Sequence, residues 1–137
     1  MKYVIIIFVI FVCSAIIYKY FIAEDLPADF VKKIEQQQNP FSVPKDSTAI
    51  AWYRAKFFLH ERRRLISAGK RKISDSVMYI PYSNSYHKGN SIKIERKRVG
   101  DSIVFNCNWW YSGNVEEDGS KEIALYMQTG EGRYDQK

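Results

Sequence analysis

The sequence predicts an α+β chain. It begins with an N-terminal transmembrane helix, followed by one long amphipathic helix packed on a four-stranded antiparallel meander. Three observations predict it. Residues 3–18 carry no charged side chain, although 26% of the 137 residues are charged. Residues 46–69 bring apolar side chains round at helical spacing. Beyond Gly69 the period falls to two, with turn formers between the alternating runs.

Residues 1–23 form the first unit. The 21 residues from Tyr3 to Ala23 would reach about 31 Å as a helix, close to the ~30 Å hydrocarbon core. Lys19 lies near one end, where its stem can carry the charge to the headgroups. Tyr3 at one boundary and Tyr18, Tyr20 and Phe21 at the other suit aromatic belts. Two other fates compete with a retained span. A lipoprotein cysteine needs small residues before it, whereas Phe11 and Val12 precede Cys13. A cleaved signal could end at Ala23, but Phe21 then stands where a small residue is wanted. A retained signal anchor is the favoured expectation, contacting the membrane through residues 3–23. Its soluble domain would lie outside the cytoplasm, at the periplasm or cell surface; secretion after cleavage is the alternative.

Residues 24–45 form a short helix and a proline-containing linker. Asp25 is a candidate N-cap, Pro27 suits the first turn, and Phe30 and Ile34 stack at i, i+4. Pro40 and Pro44 then exclude a continuous helix. Residues 46–137 are expected to be the α+β domain. Its helix opens at Asp46 or Ser47 and ends at Gly69, with Ala51, Ala55, Phe58 and Leu65 along one stripe. The expected strands are "SVMYIPYS", "NSIKIERKR", "DSIVFNCNWWY" and "KEIALYMQTG". In the second, Ile92 and Ile94 oppose Lys93, Glu95 and Lys97. In the third, Phe105, Cys107 and Trp109 oppose Asn106, Asn108 and Trp110. One helix followed by four antiparallel strands resembles, in element order alone, the cystatin-like and NTF2-like arrangement. That resemblance implies a curved sheet gripping a helix and specifies no function.

The net charge is +6, with 21 basic residues; Lys2 and Lys19 belong to the apolar segment and its flank, leaving 19 basic against 15 acidic. So mild an excess does not call for a nucleic-acid partner. The order βαββαβ and the aromatic motif of an RNA-binding sheet are also missing. Cys107 is the single cysteine after the apolar run, so no disulfide forms within the domain, and burial is its expected state.

Two stretches stand out as binding candidates. Arg62, Arg63, Arg64, Lys70, Arg71 and Lys72 place six cations round the expected helix end. They offer an anion-binding patch, although cations also favour a helix C-terminus through its dipole. Arg96, Lys97 and Arg98 would extend the patch if they lie nearby. In "NCNWWY", alternation turns Trp110 outward beside Asn108, where it can stack on a sugar, a base or a partner unless the helix at 27–38 covers it. His60 and His87, the two histidines, lack metal-ligand spacing. A Cys107–His87 pair is the one conceivable nucleophile and base. No catalytic residue, metal ligand or cofactor is assigned.

The lead expectation is a membrane-anchored, non-catalytic binding or assembly module that recognises another envelope component, with a protein partner foremost. Two alternatives stand beside it. One is an anion-binding protein using residues 62–72 on lipid headgroups or a polyanion. The other is a small hydrolase or isomerase with a pocket in the curved sheet.

Overall fold

The computed structural model describes residues 26–61, 72–80 and 90–136. The expected membrane segment, the greater part of the basic run (Arg62, Arg63, Arg64, Lys70 and Arg71), Pro81 and His87 lie outside the described residues. Among the described residues, no helix is long and apolar enough to cross a membrane.

The chain enters through helix α1 (Ala28–Gln36). Phe30 and Ile34, one turn apart, are its buried pair, as their spacing predicts. Strand β1 (Phe41–Pro44) follows, then a 3-10 turn (Lys45–Ser47) and helix α2 (Thr48–Glu61). Strands β2 (Lys72–Ile73), β3 (Val77–Ile80), β4 (Asn90–Val99), β5 (Ser102–Tyr111) and β6 (Asn114–Val115) come next. Helix α3 (Glu117–Thr129) and a 3-10 turn (Arg133–Gln136) complete the described chain. Among the described residues the fold is α+β, with three helices and one antiparallel sheet ordered β1-β5-β4-β3-β2. β6 also pairs with β5.

Two expectations are corrected. Residues 121–130, expected as the fourth strand, lie largely in α3. Glu117 and Asp118 sit in its first turn, where they complement the helix dipole. Gly130, with φ 84°, closes its end in the left-handed conformation that glycine adopts without a Cβ clash. The fourth strand of the meander is instead the two-residue β2. Residues 41–44, expected as linker, form β1, with Phe41 and Val43 inward and Ser42 and Pro44 outward. Proline is tolerated there because β1 is an edge strand.

The core lies between one face of the sheet and helices α2 and α3. Met78, Ile94 and Cys107 stand in one cross-strand row and are fully buried. Ala51, Trp52, Ala55, Phe58 and Leu59 meet that face from α2, and Ile123, Ala124 and Met127 from α3. Phe105 stacks between Phe41 (5.4 Å between centroids) and Trp52 (6.0 Å). A smaller cluster of Phe30, Ile34 and Leu125 fixes α1 to the far side of α3.

The edge of β5 opposite β4 is closed piece by piece. β1 pairs with its first residues, Ser102 to Phe105, and β6 with Trp110 and Tyr111. Between them, the Asn39 carboxamide donates from Nδ2 to the Cys107 carbonyl (2.6 Å). Its Oδ1 accepts the Cys107 amide (3.0 Å). The Ser120 hydroxyl accepts the Trp109 amide (2.9 Å), and the Glu116 amide donates to the Trp109 carbonyl (2.8 Å). Two side chains thus continue a ladder that two short strands leave open. Asn39→Ala deprives both Cys107 backbone groups of their partner, so it should cost about 1–3 kcal/mol of stability. Denaturant unfolding of the full chain in detergent measures that loss.

Candidate binding face

Direct cross-strand partners share a face of the sheet. The register therefore defines the face turned away from the helices. Lys72 stands opposite Tyr79, Tyr79 opposite Lys93, and Lys93 opposite Asn108. The neighbouring row joins Ser91, Trp110 and Val115. A further row joins Val77, Glu95 and Asn106. Trp110 is half-buried, and no described helix covers it, because α1 packs on α3.

A shallow groove of about 380 Å³ runs between Tyr79 and Trp110, with Ser91 and Lys93 between them. A second groove of about 500 Å³ continues past Tyr79 to Lys72, Ser74 and Val77. Lys93 pairs with Glu95 at 2.7 Å. Lys72 and Lys97 have no ion-pair partner among the described residues. Together these grooves offer two aromatic surfaces, the hydroxyls of Ser74 and Ser91, and the ammonium groups of Lys72 and Lys93, with the Asn108 carboxamide beside Lys93.

The candidate residues from the sequence are thus separated. Trp110 and Asn108 share this face with Lys72, the described member of the basic run. Arg96 and Arg98 do not join them. Arg96 occupies the inner side, its guanidinium 4.5 Å from the Trp52 ring centre and its Nε donating to the Asp75 carbonyl. Arg98 donates to the Gly100 carbonyl (3.1 Å). Tyr79 and Ser91 escaped the sequence reading. Alternation in "VMYI" sets Tyr79 opposite Met78, but only the strand pairing brings it beside Lys93.

Two further cavities flank the helices. One, of about 350 Å³, lies between α2 and β2–β3 and includes Tyr53, Phe57, His60 and Ile73. The other, of about 240 Å³, includes Phe57, Phe58, Tyr126, Arg133 and Asp135. Beside it the buried Glu122 carboxylate accepts from Arg133 Nε (3.0 Å) and Nη2 (2.6 Å). Burial raises the Tyr126 phenol above its usual pKa, with Asp135 adding to the shift. Among the described residues, no three metal-ligating side chains converge.

Cys107 is fully buried, its Sγ 3.6 Å from Met127 Sδ. Burial pushes the thiol far above its ordinary range. A nucleophile needs the thiolate and an approach path, and this position provides neither. Comparison with protein-family models, with curated proteins and with solved structures finds no match. At about pH 8, where an exposed thiol alkylates readily, Cys107 should stay unlabelled in the folded chain and react once denaturant is added. Peptide mapping by mass separates it from Cys13.

Proposed function

We propose that this chain is a membrane-anchored, non-catalytic binding or assembly module that engages another component of the cell envelope through its outer sheet face. One observation carries the proposal. Trp110 stands on the side of the sheet opposite the core, in a groove with Tyr79, Ser91 and Lys93, and no described helix lies over it. A large aromatic ring held on a strand supplies contact area at low cost in conformational entropy. The apolar stretch 3–23 supports the anchor and the extracytoplasmic setting by its length and flanks.

A second reading, anion binding through the basic stretch 62–72, gains support from the place of Lys72. It stands opposite Tyr79 on the same face, so this one residue is common to the two readings. The third, a small hydrolase or isomerase, gains less. The interface between the helices and the inner face is lined by apolar side chains such as Met78, Ile94, Phe105 and Met127.

The test uses the full chain, solubilised in detergent and immobilised, with a detergent extract of the cell envelope passed over it. Retention of a defined component should fall about tenfold or more with Trp110→Ala, in keeping with loss of a central aromatic anchor. Equal retention by the variant would remove the outer face from the proposal.

A further inference from the structure

From this face we infer a ligand class: an anionic polysaccharide, its sugar rings against Trp110 and Tyr79 and its acidic groups toward Lys72 and Lys97. The inference rests on the binding-module reading and deepens it.

The charge balance comes first. The outward positions of β2 to β5 carry three lysines, Lys72, Lys93 and Lys97, against the single carboxylate of Glu95. Glu95 is held by Lys93, which leaves Lys72 and Lys97 free among the described residues to meet external anions. The chemistry of the groove comes second. Tyr79 and Trp110 flank it on either side of β4, with Ser91 and Lys93 between and Asn108 alongside. Aromatic faces accept the C–H surface of a pyranose, while hydroxyl, carboxamide and ammonium groups bond its hydroxyls. The continuation of this groove past Tyr79 to Lys72 gives an extended track, which suits a chain rather than a compact ligand.

Other occupants fit less well. The outward positions of β2 to β5 carry lysines and no arginine, the side chain whose planar fork best matches a nucleic-acid phosphate. A peptide adding as a strand needs an open edge. The long strand β5 has none, since β1, Asn39, Ser120 and β6 close it, and the outermost strands, β1 and β2, are only four and two residues long. A lipid surface calls for a continuous set of protruding apolar side chains, whereas the rows that hold Tyr79, Trp110 and Val77 also carry Ser91, Lys93, Glu95, Asn106 and Asn108.

The experiment is affinity electrophoresis of the full chain in detergent micelles, with alginate, neutral dextran or oligothymidylate in the gel. Alginate should retard the chain, dextran at least about tenfold less strongly, and added salt should weaken the retardation. Trp110→Ala should lower apparent affinity about tenfold or more, and Trp110→Phe should recover part of it. Lys72→Ala and Lys97→Ala should each lower it roughly two- to fivefold, as exposed ion pairs do. Thermal melting confirms that each variant is folded. Equal retardation by dextran, tighter binding of oligothymidylate, or no retardation by alginate at low salt overturns the inference. The binding-module reading fails separately. If envelope material is still captured in a Trp110-dependent way but proves to be protein resistant to polysaccharide lyases, that reading stands and the polysaccharide falls. If capture ignores Trp110, both fall.

Discussion

Strand β5 is the element on which the rest of the structure depends, because its inner face and both of its edges are occupied. Its inner side chains, Phe105 and Cys107, are fully buried. One edge pairs with β4 along the whole length from Ser102 to Tyr111. The other is closed by β1, the Asn39 carboxamide, the Ser120 hydroxyl, the Glu116 amide and β6. A buried strand with open backbone groups loses water without recompense, so these small closures decide whether the sheet holds its register. They also tie the helices to the sheet. Ser120 belongs to α3, and Gly119 beside it leaves room for the Trp109 ring, whose Cε3 would lie 2.8 Å from an added Cβ.

The helical layer is locked by charge as well as by packing. Arg54 of α2 donates from Nη1 to the carbonyls of Met127 (3.2 Å) and Gln128 (2.9 Å). It thereby supplies a cation where α3 leaves carbonyls unpaired and its dipole is negative. At the other side of α3, Lys33 of α1 meets Glu131 at 2.6 Å, and Lys121 donates to the Glu35 carbonyl (3.3 Å). These contacts are exposed and individually weak. Leu125, packed on Phe30 and Ile34, does more to hold α1 in place.

The same arrangement explains what the sequence made visible. The stripe of α2 and the alternation of β4 and β5 were legible because each element buries one side. The outward direction of Trp110 followed from that alternation. Helix α3 was misread because it is buried on two sides. Ile123 and Met127, one turn apart, face the sheet, while Leu125, about 200° round the helix from Ile123, faces α1. Written in one dimension, the three have the period of a strand. The acidic residues Glu117 and Asp118 and the closing Gly130 were the available helix signals. Strand β1 was hidden by its brevity and its flanking prolines, since only its pairing with β5 distinguishes it from a linker. The neighbours of Trp110 were hidden for a related reason. Tyr79 and Ser91 reach it through strand register, which depends on contacts distant in sequence.

The outer face inherits its rigidity from the inner one. Met78 and Ile80 are buried and pull β3 against the helices, which leaves Tyr79 between them pointing the other way. Ile92 and Ile94 do the same for Lys93, and Phe105 and Cys107 for Asn106. A side chain set by alternation cannot be turned inward without moving its whole strand by one residue, which would expose the core. The spacing of Tyr79, Lys93, Asn108 and Trp110 is therefore fixed by packing on the far side of the sheet, before any ligand arrives. Preorganisation of this kind reduces the ordering cost that flexible loops incur on binding. The proposed binding would draw on this rigidity, since the face is of modest area, with two aromatic rings and few free charges among the described residues.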